Sequence, residues 1–285
     1  MPTLKDYAEA MPIAWCPGCG NFGILTALRR ALVEQGLEPY QVLLVSGIGQ
    51  AGKTPHFTHA HVLNELHGRA LPAASAAKIV NPELTVIAIG GDGDGYGEGG
   101  NHFIHSMRRN IDITYFVHDN QVYGLTKGQA SPTSDLGFPT KTTPDGAPDP
   151  VNPLALAVAA DASFVARGFA GEVDHLVKLM GMAIKHKGFA LVDILQPCVS
   201  FNHKNTYAYY KQRVYKLDDD KSYDPTNKAA AFAKTQEWGD RIPIGLIYRK
   251  ERPTFRQLTA GLGETPPVKL KLDPLEVEDL VAEFL

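Results

Sequence analysis

Apolar residues fall along this chain in two alternating patterns. From Ile24 to Gly36 (Ile-Leu-Thr-Ala-Leu-Arg-Arg-Ala-Leu-Val-Glu-Gln-Gly) they recur at helical spacing and stop at a glycine, which predicts a helix. Gln41 to Ser46 is a short continuous apolar run that enters the loop Gly47-Ile-Gly-Gln-Ala-Gly52, as a buried strand would. The same pair of patterns returns. A small-residue-rich helix is predicted over Gly68 to Val80, a strand over Thr85 to Ile89 running into Gly90-Gly-Asp-Gly-Asp-Gly95, and a helix over Gly100 to Arg109. Further strands are predicted at Ile113 to Val117 and at Ala190 to Leu195. Strand, glycine loop and helix, repeated, define an α/β fold: a mostly parallel sheet with helices on both faces. Ligands of such sheets sit beyond the carboxyl ends of the strands, where all the glycine loops fall.

Between Gly128 and Pro153 the chain is rich in Pro, Ser, Thr, Gly and Asp and reads as a long loop of the kind that often carries function. After Ser200 strand signals fade except at Ile242 to Tyr248, so residues 1–200 are expected to form the main α/β domain. Residues 201–285 are expected to form an extension that wraps against partner subunits, with a small helical subdomain as the alternative.

Composition narrows the class. With 285 residues, 44% of them hydrophobic and 21% charged, the chain is an ordinary globular one with material for a large core. Its 28 basic residues against 31 acidic ones leave a formal charge of −3, so no basic field attracts nucleic acid or anionic lipid. No apolar run approaches the roughly 18 residues of a membrane span, and the start does not read as a signal peptide, which makes the cytoplasm the expected address.

The chemistry begins at Gly91-Asp-Gly-Asp-Gly95. Glycine loops that bind phosphate directly carry bare amides and a lysine, whereas this one carries carboxylate. Carboxylate meets diphosphate only through a cation, and Mg²⁺ accepts carboxylate, carbonyl and phosphate oxygens together. Asn120 stands 28 positions after Asp92, just past the next strand, so neighbouring parallel strands bring both to one sheet edge, where Val122 can add its carbonyl. That arrangement resembles the thiamine diphosphate motif, Gly-Asp-Gly with a downstream Asn. The bland alternative is a surface Gly-Asp turn. Gly95-Tyr-Gly-Glu-Gly-Gly100 formally matches the dinucleotide fingerprint but begins too far past the strand end near Gly90 to make its turn.

A second constellation is Trp15-Cys16-Pro-Gly-Cys19 with Cys198. It is spelled like a thioredoxin site, but no strand or βαβ unit precedes it. An odd cysteine count argues against a disulfide framework, and soft thiolates at this spacing suit zinc or an iron-sulfur cluster equally.

Taken in order, Cys16-Pro-Gly-Cys-Gly-Asn, Ser46-Gly-Ile-Gly, Leu66-His-Gly-Arg-Ala-Leu-Pro72, Gly90-Gly-Asp-Gly-Asp-Gly95, Asp119-Asn-Gln-Val-Tyr-Gly124 and Thr126-Lys-Gly-Gln-Ala-Ser-Pro-Thr133 closely resemble the β subunit of the 2-oxoacid:ferredoxin oxidoreductases. Ile242-Pro-Ile-Gly and Arg252-Pro-Thr-Phe extend the likeness into the tail, so that it spans nearly the whole chain. The resemblance implies an enzyme with thiamine diphosphate, Mg²⁺ and an iron-sulfur cluster, 4Fe-4S by family habit. The reaction is oxidative decarboxylation of a 2-oxoacid with coenzyme A, reducing ferredoxin, and it runs in reverse as reductive carboxylation. It also implies an α or fused γα partner subunit, which supplies the cofactor-activating glutamate, and a dimer of α/β pairs. Among substrates 2-oxoglutarate is favoured, ahead of pyruvate or a broad range.

Carried over residue by residue, the resemblance makes Asp92, Asn120 and the Val122 carbonyl the Mg²⁺ ligands, with Gly91, Gly93, Asp94, Gly124 and Leu125 around diphosphate or thiazolium. Ile48, Gly49, Gln50 and Ala51 should touch the cofactor, and Leu125 should help shape the substrate pocket. Lys53 matches a position that meets the substrate's carboxylate or thioester, and a flexible point charge suits that task. Its alternative is a solvated loop lysine. His67 would hydrogen-bond diphosphate or a reacting group, unless it is a satisfied core histidine, and Arg69 is read as structural. Cys16, Cys19 and Cys198 match cluster ligands, but Gln50 stands where the family has its fourth cysteine. A histidine such as His56 or His59, an oxygen ligand or water would then complete the cluster. Two other readings compete: a non-redox thiamine enzyme subunit, which would have no use for the cysteines, and a zinc-stabilised assembly subunit.

Overall fold

The computed structural model describes residues 1–263, 265–271 and 281–284. The first helix, α1 (Asn21–Glu34), leads into strand β1 (Val42–Ser46). There follow β2 (His61–Asn64), α2 (Ala70–Val80), β3 (Thr85–Gly91), α3 (Gly100–Arg109) and β4 (Thr114–Asp119). A two-stranded ribbon of β5 (Val122–Tyr123) and β6 (Gln129–Ala130) opens the long loop, which has no helix or strand until α4 (Pro153–Ala159). Next come β7 (Phe164–Phe169), α5 (Val173–Lys185) and β8 (Ala190–Leu195). The tail holds α6 (Tyr207–Lys211), β9 (Val214–Lys216), α7 (Lys228–Thr235), β10 (Ile242–Arg249) and α8 (Phe255–Leu258).

Eight strands form one sheet in the order β2-β1-β3-β4-β8-β7-β10-β9. All neighbours are parallel except β10, which runs antiparallel to β7. Period-two alternation sends successive side chains of a buried strand to opposite faces. Val86 and Ala88 join Leu71, Phe103, Met107 and Leu154 of α2, α3 and α4 on one side. Ile87 and Ile89 join Ile24, Leu28, Leu176 and Met180 of α1 and α5 on the other.

The expected strands and helices before Gly128 are present, with ends that shift by no more than three residues. Sequence reading gave no strand for Phe164–Phe169 and no helix for Val173–Lys185. The strand Phe-Val-Ala-Arg-Gly-Phe is fully buried, and its Arg167 and Gly168 interrupt the apolar run that marks such strands elsewhere in the chain. The tail is no separate helical subdomain: β10 and β9 extend the same sheet across the boundary expected at residue 200. Asn110 holds this arrangement together. It adopts a left-handed conformation (φ 51°) at the end of α3, accepts from Ser163 Oγ and Phe189 N, and donates to the carbonyls of Arg252 and Pro253. Among the described residues no helix is long and apolar enough to cross a membrane.

Candidate active site

The register that pairs Gly91 with His118 places the ends of β3 and β4 side by side, so Asp92 and Asn120 leave the sheet together at its carboxyl edge. The loop after β1 arrives at the same edge. One cavity is lined by Ile48 to Ala51 on one wall, Gly91 to Asp94 on the second, and Asn120 with Val122 to Thr126 on the third, with His67 beside them. Each residue expected to contact thiamine diphosphate or its metal lies here. Lys53 does not line it. It sits half-buried on the 3-10 turn Ala51–Phe57, without an ion pair among the described residues. Tyr123 and Thr126 line the cavity too and were not singled out in the sequence.

The two aspartates of Gly91-Asp-Gly-Asp-Gly95 do different work. Asp92 is buried, and burial pushes its carboxyl up to about 6 despite hydrogen bonds. Thr133 Oγ1 donates to Oδ2 at 2.7 Å with Ser131 beside it, and no lysine or arginine pairs with it among the described residues. A buried carboxylate without a cation is costly, and that deficit is what a divalent ion removes. Asn120 Oδ1 accepts from Val122 N at 3.0 Å, which curls this loop around its own end. The carboxylate, amide oxygen and carbonyl set therefore suits Mg²⁺.

Asp94 is instead a tie between loops. Its Oδ1 accepts from Ile48 N at 2.9 Å and from Gly68 N at 2.8 Å, joining the loops that follow β1 and β2 to the one that follows β3. Only glycine fits at Gly47, where a Cβ would stand 2.1 Å from Asp94 Oδ2. His67 Nδ1 lies 3.2 Å from Asp94 Oδ1 and 3.5 Å from Glu98 Oε2, with its ring facing the cavity beside Tyr123. Past Asp92 the backbone makes a π-type turn over Gly93–Glu98, and a Cβ on Gly93 would come 2.3 Å from the Tyr123 ring. Such turns recur at functional sites because they re-aim backbone groups.

A neighbouring cavity shares Gln50, Asn120 and Gly124 with the first and holds all three cysteines. Cys16 and Cys19 bracket a tight turn in which Cys19 N donates to Cys16 O, and Gly20 N donates to Pro197 O beside Cys198. Trp15 packs edge-on against Phe22 and Phe57 and donates its indole N–H to the Gln50 carbonyl at 2.8 Å. The thiols are free, and burial pushes that of Cys19 up to about 11, with Cys198 and Cys16 adding to the effect. Thiols in such surroundings stay inert unless a metal takes the charge of the thiolate. Gln196 Nε2 approaches Cys19 Sγ at 3.4 Å, and Ser200 Oγ donates to Cys16 Sγ at 3.0 Å. Gln50 Oε1 is buried here without a partner. Among the described residues no three His, Cys, Asp or Glu side chains converge on a single-ion site, although all three thiols face one cavity.

A sheet that delivers carboxylate, amide and glycine loops to one edge defines a thiamine diphosphate-binding fold. Residues 47–194 match the family described as thiamine pyrophosphate enzyme, C-terminal TPP binding domain. Residues 198–264 match the C-terminal region of the pyruvate ferredoxin oxidoreductase beta subunit. The 2-oxoacid:ferredoxin oxidoreductase subunit beta of Saccharolobus solfataricus is 52% identical, over 94% of this chain and 95% of its own length. The 2-oxoglutarate synthase subunit KorB of Archaeoglobus fulgidus is 42% identical over 68% of this chain and 73% of its own. A solved structure of 2-oxoglutarate:ferredoxin oxidoreductase from Magnetococcus marinus, with 2-oxoglutarate, coenzyme A and succinyl-CoA bound, superposes with a TM-score of 0.90 at 37% identity, covering 98% of this chain and 96% of that one. The chain belongs to the β subunits of the 2-oxoacid:ferredoxin oxidoreductases.

Proposed function

We propose that this subunit holds thiamine diphosphate and Mg²⁺ in the first cavity and an iron-sulfur cluster in the second, and serves coenzyme A-dependent oxidative decarboxylation of a 2-oxoacid with electrons passing to ferredoxin. The reaction is reversible as reductive carboxylation. The observation that carries this reading is the adjacency of the two cavities: Asn120 and Gly124 border both, and Gln50 stands between the metal ligands and the thiols. The bound cofactor supplies the nucleophilic carbon and the electron sink that loss of CO₂ requires. Asp92, Asn120 and the Val122 carbonyl hold the metal against the diphosphate. Gly91, Gly93 and Gly124 leave space for it, while Ile48, Gly49, Ala51 and Leu125 border the thiazolium and substrate. Asp94 keeps the Ile48 loop and His67 in position, and His67 offers a hydrogen bond toward the reacting groups. Lys53, on the turn outside the cavity lining and unpaired among the described residues, meets the substrate's carboxylate or thioester. Cys16, Cys19 and Cys198 ligate the cluster, which is of the 4Fe-4S type with Gln50 at the corner that lacks a thiolate.

Three thiols spread around a cavity favour a cluster over zinc, because Zn–S bonds of about 2.3 Å draw tetrahedral thiolates to a point. The favoured substrate is 2-oxoglutarate, the acid bound in the Magnetococcus structure, and the relatives named for 2-oxoacids in general support a broader range as the second reading. The partners are an α or fused γα subunit, in a dimer of α/β pairs in which residues 201–285 contact the partner, and ferredoxin. The test is iron and sulfide content with electron paramagnetic resonance on the anaerobically purified complex, before and after 2-oxoglutarate with coenzyme A. A substrate-reducible cluster on each β chain is expected. Zinc in place of iron would leave a non-redox thiamine subunit and overturn the reading.

A further inference from the structure

Behind the wall of the metal site lies another cavity, of about 290 Å³, to which nothing above gives a role. Asn120 and Val122 face the cofactor cavity, and the residue between them, Gln121, turns its side chain into this one from a left-handed backbone (φ 59°). The floor is buried and polar: Asp119, Gln121, Thr133 and Arg167. The rim is exposed, with Val151, Gln236 and Trp238.

Arg167 is the unusual member. It is 4% exposed, its Nε and Nη1 have no hydrogen-bond partner, and its closest carboxylate oxygen, Asp193 Oδ2, is 3.6 Å from Nε and itself lacks a partner. Asp193 Oδ2 meets Arg167 only as this ion pair, while its Oδ1 accepts from the Tyr96 hydroxyl at 2.8 Å. The ion pair leaves the buried Nη1 without a hydrogen-bond partner, which is costly, and a carboxylate oxygen is a group that fits it. The carboxylates on the cavity wall do not supply one. Asp119 accepts from Thr133 Oγ1 and Gln121 N, and Asp135 accepts from Gln121, Trp238, Asn205 and Lys204. Their charge disfavours a dianion nearby, while the Trp238 ring, 5.3 Å from the Arg167 guanidinium carbon, and Val151 offer apolar contact to a short tail.

We propose that this cavity binds a small organic monocarboxylate, with its carboxylate on Arg167 and its tail between Trp238 and Val151. The ligand then touches Gln121 and Thr133, the other side of the wall that carries Asn120 and Asp92, so its site stands back to back with the cofactor cavity. Calorimetric titration of the full chain, in the complex in which it purifies and in carboxylate-free buffer, with butyrate, acetate and inorganic phosphate as probes, tests this. Saturable butyrate binding at one site per chain is expected, tighter than phosphate. Val151→Trp, which fills the rim, should abolish it, and Arg167→Lys, which keeps the charge and loses the fork, should weaken it by about tenfold. Circular dichroism and melting identify a variant that fails to fold, and if Val151→Trp does so, Arg167→Lys decides. No saturable butyrate binding, phosphate binding tighter than butyrate, or butyrate binding unchanged in the folded variants would each overturn the proposal.

Discussion

Replacing the second aspartate of Gly91-Asp-Gly-Asp-Gly95 with alanine separates a structural role from a metal-binding one. Asp94→Ala removes the acceptor for two main-chain donors, Ile48 N at 2.9 Å and Gly68 N at 2.8 Å. Hydrogen bonds to a charged group contribute about 1.5–3 kcal/mol each, and the buried Gly68 amide would also be left unpaired. The loops after β1 and β2 are partly exposed and can find water, so the lower half of that sum applies, giving a loss of about 3–4 kcal/mol. Asp94→Asn keeps a neutral acceptor for both amides and should cost about 1–2 kcal/mol. Asp92→Asn should behave oppositely. It relieves a buried charge with no cationic partner, so the metal-free chain should be no less stable, while Mg²⁺-dependent thiamine diphosphate binding is lost. Urea unfolding of the metal-free chain, paired with cofactor titration in Mg²⁺, reads both effects. If Asp94→Ala lies within about 1 kcal/mol of the parent, the loops hold themselves and the division of labour argued here is wrong.

Asn110→Gly keeps the left-handed backbone but deletes four side-chain hydrogen bonds, and urea unfolding should show a loss of about 2–4 kcal/mol, chiefly from the buried pair to Ser163 and Phe189. Gln50→Cys adds a thiolate to the cysteine cavity, and with the cluster loaded its reduction potential, followed by paramagnetic resonance, should fall; an unchanged potential would place residue 50 away from the cluster. At Asp161, burial acts to raise the carboxyl pKa, but hydrogen bonds from Lys228, Lys250 and Tyr248 outweigh it and lower it to about 2, below the ordinary 3.8. A depressed folded value means stability that is present above pH 3.8 and lost as pH falls toward 2. Asp161→Asn should flatten that part of the acid-unfolding curve by less than about 1 kcal/mol, since the carboxylate is a third exposed.

The central strands were legible because each is a short apolar run, closed by glycine after β1 and within β3, as strands of a sheet covered on both faces are. Where a strand carries its own chemistry the pattern fails. Phe164–Phe169 is buried at every position, yet Arg167 and Gly168 break the run, Arg167 lining a polar cavity and pairing with the buried Asp193. The tail's β10 shows as apolar in the sequence, but its place beside β7 depends on contacts across the whole chain, such as those of Asn110 with residues 252 and 253. No local pattern encodes these.

The same distinction runs through the site. A residue at the end of a buried strand is held by the backbone, so the neighbourhood of Asp92 and Asn120 follows from strand order, and strand order follows from apolar runs. A side chain's partner is set by loops arriving from other strands. Asp92 and Asp94 stand two residues apart in one glycine loop, and in the fold Ile48 and Gly68 reach the second while Thr133, from a loop about forty residues downstream, reaches the first. Asn120, Gln121 and Val122 divide in the same way. The left-handed turn at Gln121 sends its side chain through the wall to a floor made by Arg167, so three consecutive residues serve two cavities. Filling the cavity behind the wall therefore acts on the residue between two proposed metal ligands, which is why binding there and Mg²⁺-dependent cofactor binding should be measured on the same preparations.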